Sequence, residues 1–174
     1  MAYTDIDKIN KAVNYLQTHT IEIGILGIGG DVPGMFGGKK EETKVLTYAW
    51  CLEFGTSKMK PIPFFRQAIE SNEKEISEYI ERVTNDVLSG KLDGRNACIQ
   101  VGEFIRGKVA QTIAVGGSWA RPLTPKYKKW KSIKYPNRAG QTLILEGFLI
   151  KSIRYKIIKK GDTKGVYTSP WAKL

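Results

Sequence analysis

The sequence has few of the residues from which metal and catalytic sites are most often built. It contains one histidine, His19, and two cysteines, Cys51 and Cys98, among 174 residues. Because there is neither a CxxC pair nor a second histidine, zinc ligation and Cys–His catalysis are excluded. Both cysteines lie in apolar helical runs, so we expect buried thiols that act as small hydrophobic side chains.

Other sequence features are missing as well. No apolar run reaches 18 residues, so no membrane span is predicted, and residues 1–20 lack the apolar core of a signal peptide. The catalytic motifs HExxH and GxSxG are absent. We therefore predict a protein that is not an enzyme, that is made in the cytoplasm, and that needs no cofactor, metal, membrane or small-molecule substrate.

Residues 27–38, GIGGDVPGMFGG, form a glycine-rich stretch that has to be tested against phosphate-binding loops. A Walker A loop ending at Gly38-Lys39 would need glycine at 33 and Ser or Thr at 40, where Pro33 and Lys40 stand. The dinucleotide pattern G-x-G-x-x-G fails as well. We instead predict a mobile loop over 27–42, whose Met35 and Phe36 dock on a neighbouring subunit.

Acidic residues are scarce in the second part of the chain. Residues 1–103 carry 12 Lys and Arg against 15 Asp and Glu, a balance of −3, whereas residues 104–174 carry 16 against 2, a balance of +14. The two balances add to the net charge of +11. Such an asymmetry indicates either an acidic partner such as nucleic acid, or contact between unlike ends of identical chains.

Periodicity and turn residues predict an α+β fold. Residues 20–28 alternate and are β-branched, and Ile153, Tyr155 and Ile157 alternate with polar residues before a second C-terminal strand at 166–168. We expect these segments to form a small antiparallel sheet of about three strands, flanked by about four helices. The chain is predicted to be one domain, 1–174, with the loop 27–42 and a C-terminal tail, 169–174.

Residues 49–68, AWCLEFGTSKMKPIPFFRQA, predict a helix, a tight turn and a second helix. Gly55 stands where a helix end favours a residue with positive φ. Pro61 and Pro63 prevent helix immediately before them, and Phe64 begins a new periodic run. Glu53 and Arg66 are the strong charges nearest to the apolar part of this corner, and we expect them to hold it together.

The second helix of this corner is predicted to be long, covering residues 64–88, and to carry an acidic face. Two interpretations remain open. The face is either simply solvated or forms the acidic half of a subunit interface, with these candidates: Glu70, Glu73, Glu78 and Glu81.

Residues 119–138, WARPLTPKYKKWKSIKYPNR, are rich in basic and aromatic residues and contain no acid. Thr124 followed by Pro125 predicts the start of a short helix that ends near Lys134. We expect its aromatic residues to anchor the helix to the core and its lysines to remain in solvent. The basic side chains face either packaged DNA or the acidic helix of another subunit, and the candidates are Arg121, Lys126, Lys128, Lys129, Lys131, Lys134 and Arg138.

Three motifs carry a resemblance to a known family. The first comprises Glu53-Phe54-Gly55-Thr56, Met59, Pro63-Phe64-Phe65-Arg66 and Ala68; the others are residues 122–125, PLTP, and residues 145–153, LEGFLIKSI. Together they resemble the virion morphogenesis proteins of tailed phages, a family that includes the neck or tail-completion proteins joining head to tail. Ile62 stands where that family often has Arg, and Glu146 where Thr is common, so no role is carried over to those two side chains.

The resemblance implies a structural virion protein that forms a ring in the phage neck, joins the head connector to the tail and lets DNA pass. A hexameric ring is preferred, with a dodecamer as the alternative. The implied partners are further copies of the chain, other neck, connector and tail proteins, and packaged DNA in transient non-specific contact. The implied location is the virion, after assembly in the host cytoplasm. The alternative hypothesis is a sequence-nonspecific nucleic-acid-binding protein that uses residues 119–138.

Overall fold

The structure is a computed structural model, and it describes residues 3–25, 31–32, 43–120, 122–138, 140, 143, 148–161 and 166–167. These residues adopt an α+β fold, so the predicted class is confirmed. The described residues contain seven α-helices, more than the four or so predicted, and five strands, three of which form one sheet as predicted. None of the helices in these ranges is both long and apolar enough to cross a membrane.

The helices are α1 Tyr3–Thr18, α2 Val45–Phe54, α3 Phe64–Ser71, α4 Glu73–Leu88, α5 Gly94–Val115, α6 Pro125–Lys134 and α7 Phe148–Ser152, with a 3-10 turn at Pro136–Arg138. The strands are β1 His19–Ile25, β2 Asp31–Val32, β3 Thr43–Lys44, β4 Ile153–Lys159 and β5 Val166–Tyr167.

The larger sheet has the strand order β1-β4-β5. Strands β4 and β5 are antiparallel, with Ile157 opposite Val166. The backbone N–H of Lys160 donates to the carbonyl of Thr18 at 2.8 Å, and Lys156 Nζ lies 2.8 Å from a Glu22 carboxylate oxygen. Thr18 thus lies opposite Lys160, and Glu22 lies opposite Lys156. Because the residue numbers rise along one segment as they fall along the other, β1 and β4 are also antiparallel.

A second, two-stranded sheet lies within the segment predicted to be a loop. Asp31 pairs with Lys44 and Val32 with Thr43, so β2 and β3 form an antiparallel pair. The prediction of a loop throughout 27–42 is therefore wrong at residues 31–32. Two residues are too few to show a strand pattern in the sequence, and it is the pairing with β3 that makes them a strand. Met35 and Phe36, which were predicted to dock on a neighbour, lie outside the described residues, as does the predicted tail 169–174.

The single long helix predicted for residues 64–88 is interrupted at Asn72. This residue has φ −116° and ψ 13°, outside the helical region, and it separates α3 from α4. Ser71 and Asn72 are poor helix formers because their short polar side chains compete for backbone hydrogen bonds. Apolar periodicity continues across the break, which explains why the sequence alone suggested one helix.

The chain divides into two compact units. Unit 1 consists of Met1–Gly24, Asn72–Gly107 and Arg154–Leu174, and unit 2 of Ile25–Ser71 and Lys108–Ile153. Each unit is assembled from segments that are distant in sequence, so neither is a contiguous domain. The prediction that residues 1–174 form one domain stays a prediction.

The core of unit 1 joins α1, α4, α5 and the larger sheet. One cluster contains Ala12, Val83, Val87 and Ala97, and a second contains Cys98, Tyr155 and Ile157. Burial raises the pKa of the Cys98 thiol, which keeps it protonated and unreactive, as expected for a buried cysteine. Cys51 in unit 2 is only half-buried, so its predicted burial is not complete.

The core of unit 2 is formed by α2, α3, the second part of α5, Leu143, and the α7–β4 junction. Its buried members are Ala49, Leu52, Ile62, Phe64, Ala68, Val109, Ile113, Leu143, Leu149 and Ile153. The apolar residues of the predicted helix–turn–helix corner therefore supply half of this cluster, and the corner is the framework on which unit 2 is built.

Candidate interaction surfaces

The Glu53 carboxylate links the two helices of the corner. Its Oε2 accepts a hydrogen bond from the backbone N–H of Phe65 at 2.9 Å, and its Oε1 accepts one from the backbone N–H of Arg66 at 3.0 Å. Both N–H groups belong to the first turn of α3, where the helix has no intrahelical acceptors for them. A negative charge at this end is also favoured by the helix dipole. Glu53 thus holds the corner as predicted.

Arg66 takes part differently from the prediction. The backbone N–H of Arg66 donates to Glu53, whereas its side chain is exposed. The expectation that the charge of Arg66 helps to hold the corner was therefore wrong. The Glu53 carboxylate accepts its hydrogen bonds from two backbone N–H groups instead.

The turn between the helices depends on Gly55. Its φ is +78°, and its N–H closes α2 by donating to the Cys51 carbonyl at 2.9 Å. A Cβ at this position would lie 2.8 Å from the Met59 carbonyl oxygen. Thr56 and Met59 pair across the turn, and the Ile62 N–H then donates to the Leu52 carbonyl. The motif residues here maintain the geometry of the corner, whereas Phe54 and Thr56 are exposed.

Helix α6 begins as its sequence predicts. Thr124 occupies the N-cap, with its hydroxyl accepting from the Tyr127 N–H at 3.4 Å, and Pro125 occupies the first turn. The helix ends at Lys134, which was the predicted end. Lys126, Lys128, Lys129 and Lys134 are exposed.

The predicted orientation of α6 is wrong. Its aromatic residues were expected to anchor it, yet Tyr127 is 39% exposed and Trp130 is 41% exposed, and the aliphatic Ile133 is 77% exposed. Lys131, which was expected in solvent, is only 1% exposed. The helix therefore turns its aromatic side outward and buries one lysine, because packing within unit 2 decides the rotation of a helix with almost no amphipathic character.

The outward side of α6 and the residue after it carry an aromatic strip with a cation above it. The Tyr127 and Trp130 rings stack with centroids 5.3 Å apart, and Tyr135 meets Trp130 edge-on at 6.2 Å. Lys134 Nζ lies 5.4 Å from the Trp130 ring centroid and 5.5 Å from that of Tyr135. These distances are in the range of cation–π contacts. We call Tyr127, Trp130, Lys134 and Tyr135 the α6 strip.

A tyrosine of α2 adjoins the α6 strip. Burial raises the pKa of Tyr48 to about 12, with a smaller contribution from Tyr127. Burial also raises the pKa of Tyr127, followed by the effect of Tyr135. These phenols therefore remain neutral at physiological pH, and the positive charge of the strip comes from its lysine.

Helix α2 carries a second exposed apolar face that was not predicted. Leu46, Trp50 and Phe54 are spaced four residues apart and are all exposed, with Trp50 at 63%. The Trp50 and Phe54 rings lie 4.4 Å apart. The opposite side of the helix is buried through Val45, Ala49 and Leu52. The sequence of α2, VLTYAWCLEF, could have indicated this face. A helix with apolar residues on most of its sides is typical of one that is covered on both sides. We call Leu46, Trp50 and Phe54 the α2 face.

The predicted acidic residues are all in solvent. Glu70 ends up on α3 and the others on α4, and all four candidates are exposed: Glu70, Glu73, Glu78 and Glu81. Glu78 lies 3.9 Å from Lys74, an exposed pair that contributes little. Glu73 in the first turn of α4 is favoured by the helix dipole.

Of the basic candidates, one is not described by the structure and another is described only through its backbone. Arg121 lies outside the described residues, and the side chain of Arg138 does too, although its backbone belongs to the 3-10 turn. Among the described residues there is no group of three or more His, Cys, Asp or Glu that could hold a metal ion.

Comparisons of the chain with protein-family models, with curated proteins and with solved structures found no significant match.

Proposed function

We propose that this chain is a structural virion protein that forms a ring in the neck of a tailed phage, where it joins the head connector to the tail and lets DNA pass. The proposal combines the resemblance of the corner motifs with one structural observation. Seven of the ten large hydrophobic side chains that are exposed in the described residues belong to unit 2: Leu46, Trp50, Phe54, Val115, Tyr127, Trp130 and Ile133.

Exposed apolar groups in such number favour an assembly protein. Extended apolar patches on a soluble chain usually mark surfaces that are covered by a partner. Aromatic residues are also the side chains most enriched in the well-packed centres of protein interfaces. The α2 face and the α6 strip supply two tryptophans, a phenylalanine and two tyrosines, and we assign both to contacts with neighbouring copies or with adjacent neck layers.

The charge distribution supports contact between unlike surfaces. The exposed glutamates of α4 and the exposed lysines of α6 are complementary and lie on different elements. When one copy presents its lysines to the glutamates of the next, the contact is heterologous, and it forms a ring if the rotation closes. Basic side chains that remain uncovered would then line a channel for DNA.

The experiment is a charge swap read out by native mass and by assembly with purified connector. Reversal of Lys126, Lys128 and Lys129 to Glu, or of Glu73, Glu78 and Glu81 to Lys, should each reduce ring formation. A one-to-one mixture of the two variants should assemble again. The new glutamates of one variant then meet the new lysines of the other, and the native lysines of the second variant meet the native glutamates of the first.

A control variant reverses three exposed lysines elsewhere, at Lys8, Lys58 and Lys91, and should assemble normally. A chain that remains monomeric alone and with every neck partner would refute the ring. Loss of assembly in the control variant to the same degree would show that net charge, and not these two surfaces, governs association.

The second candidate function is sequence-nonspecific nucleic-acid binding through residues 119–138. The observation that favours it is the α6 strip, because exposed rings beside lysines form the platform on which unpaired bases stack. Binding to a single-stranded oligonucleotide should then weaken steeply with salt. The triple reversal at Lys126, Lys128 and Lys129 should abolish binding, and neutralising each of them should lower the salt slope by about one.

A pair of tryptophan variants separates the two candidates. Trp130→Ala should cost about 1–3 kcal/mol of oligonucleotide binding if bases stack on the strip. Trp50→Ala, on the α2 face, should leave that binding unchanged while weakening assembly. No oligonucleotide binding at low salt, or a salt-independent affinity, would eliminate the second candidate. Lys131 is left out of all these variants because it is buried.

A further inference from the structure

An apolar groove runs through unit 1 between strand β1 and helix α4. Its volume is about 480 Å³. Ile21 and Ile23 line it from the strand, and Ile80 and Val83 line it from the helix. Both elements pack on α5, since the isoleucines adjoin the Cys98 cluster and Val83 packs with Ala97. Helix α5 therefore forms the floor, to which Val101 and Ile105 also contribute.

Strand β1 borders this groove with its outer edge. In the strand order β1-β4-β5 it has β4 on one side and, within the described part of the chain, no strand on the other. The Thr18 carbonyl accepts from Lys160 of the β4 side. Because backbone groups alternate in direction along a strand, those of Ile21 and Ile23 point away from β4. Their N–H and C=O groups are thus placed to pair with an added strand.

One end of the groove is basic. His19, at the start of β1, and Lys160 both line it, and the residues that line the groove include no Asp or Glu. The nearest carboxylate on β1 belongs to Glu22, which is paired with Lys156 at 2.8 Å. His19 is held in place, because its ring stacks on Tyr15 at 3.7 Å and its Nδ1 lies 2.9 Å from the Tyr15 carbonyl oxygen. This end is suited to a negatively charged group.

We propose that unit 1 binds an extended segment of a partner protein, which pairs with the outer edge of β1 and inserts alternate apolar side chains between β1 and α4. An acidic side chain of that segment lies at the His19 and Lys160 end. Main-chain hydrogen bonds supply affinity in this mode, and the groove supplies selectivity for side chains. The proposal uses unit 1 alone and does not depend on the neck function or on the surfaces of unit 2.

The probe is a pair of synthetic peptides with alternating Val and Thr, blocked at both ends, with one Glu at either the amino or the carboxyl end. Binding is followed by calorimetry, and hydrogen exchange of the β1 amides by NMR. One of the two peptides should bind, and it should slow exchange at Ile21 and Ile23 by at least tenfold. Which peptide binds then gives the direction of the added strand. Replacing its Glu by Gln should weaken binding about three- to tenfold.

Two matched pairs of variants test the lining. Ile80→Arg places a charge in the groove and should weaken binding at least tenfold, whereas Leu88→Arg, on an exposed position of the same helix outside the groove, should leave it within about twofold. Lys160→Ala should remove the preference for Glu over Gln, and Lys159→Ala, which does not line the groove, should retain it.

Three results would overturn the proposal. The first is that neither peptide binds at millimolar concentration. The second is binding without protection of Ile21 and Ile23, which would indicate a site elsewhere. The third is concentration-dependent protection of those amides in the protein alone, which would identify a second copy of this chain as the occupant instead of a partner.

Discussion

Two glycines in the interior of α5, Gly102 and Gly107, offer a sharp test of how unit 1 is packed. A methyl group added at Gly102 would lie 2.8 Å from Cγ and from Cε2 of the Tyr155 ring, and closer still to Cδ2. Tyr155 is fully buried, so its ring cannot swing into solvent. Gly107 lies on the same helix, and a methyl group there meets nothing within 4 Å. The substitution Gly→Ala is therefore the same chemical change in a crowded and in an open place.

The expected magnitudes follow from two opposing terms. Alanine stabilises a helix interior by about 1 kcal/mol relative to glycine, and both variants receive this gain. Overpacking a filled core costs about 1–3 kcal/mol, and only Gly102→Ala incurs it. Gly107→Ala should therefore raise the free energy of unfolding above that of the parent. The free energy of unfolding of Gly102→Ala should be about 1–3 kcal/mol lower than that of Gly107→Ala. That difference corresponds to several degrees in Tm for a chain of this size.

The assay is urea denaturation of both variants and the parent, followed by far-ultraviolet circular dichroism. Unchanged slopes would show that the native state alone was altered. A second measurement combines Gly102→Ala with Tyr155→Leu, which removes the ring, and the penalty at 102 should then largely disappear. Equal stability of Gly102→Ala and Gly107→Ala would refute the close approach of α5 to β4.

Three further predictions concern helix ends. Glu53→Ala removes the acceptor of two N–H groups at the start of α3 and should lower the free energy of unfolding by about 1–2 kcal/mol, with partial recovery in Glu53→Gln; an unaltered urea midpoint would contradict the capping role. Thr124→Ala should cost about 1 kcal/mol and speed amide exchange in α6, whereas Thr124→Ser should not; equal exchange in both variants would contradict it. The hydrogen bond from the backbone N–H of Asn96 lowers the pKa of Asp93 below its ordinary value of 3.8. The stabilisation of the folded protein by the Asp93 carboxylate is therefore present above pH 3.8 and is lost as the pH falls through the lowered pKa. Asp93→Asn should thus differ from the parent at neutral pH, and the difference in urea midpoint should shrink as the pH falls through the lowered pKa of Asp93.

Local chemistry determined a large part of this fold. Thr124 and Pro125 set the start of α6 because a hydroxyl cap and a fixed proline φ act within one turn. Gly55, with φ +78°, marked the end of α2 for a similarly local reason. Alternation of Ile153, Tyr155 and Ile157 predicted a half-buried strand, and all three are buried in β4. The α+β class followed from these segments.

Tertiary structure decided which sides of α2 and α6 are exposed. Helix α6 has apolar and basic residues distributed around it, so the sequence gives no preferred buried side, and packing in unit 2 turned Trp130 outward and Lys131 inward. Helix α2 is apolar on every side, and only its neighbours determine that Val45 is covered and Trp50 is not. The groove beside β1 likewise depends on α4, β1 and α5 meeting across long sequence separations. Caps and turns act over a few residues, whereas the rotation of a helix depends on residues far away in the chain.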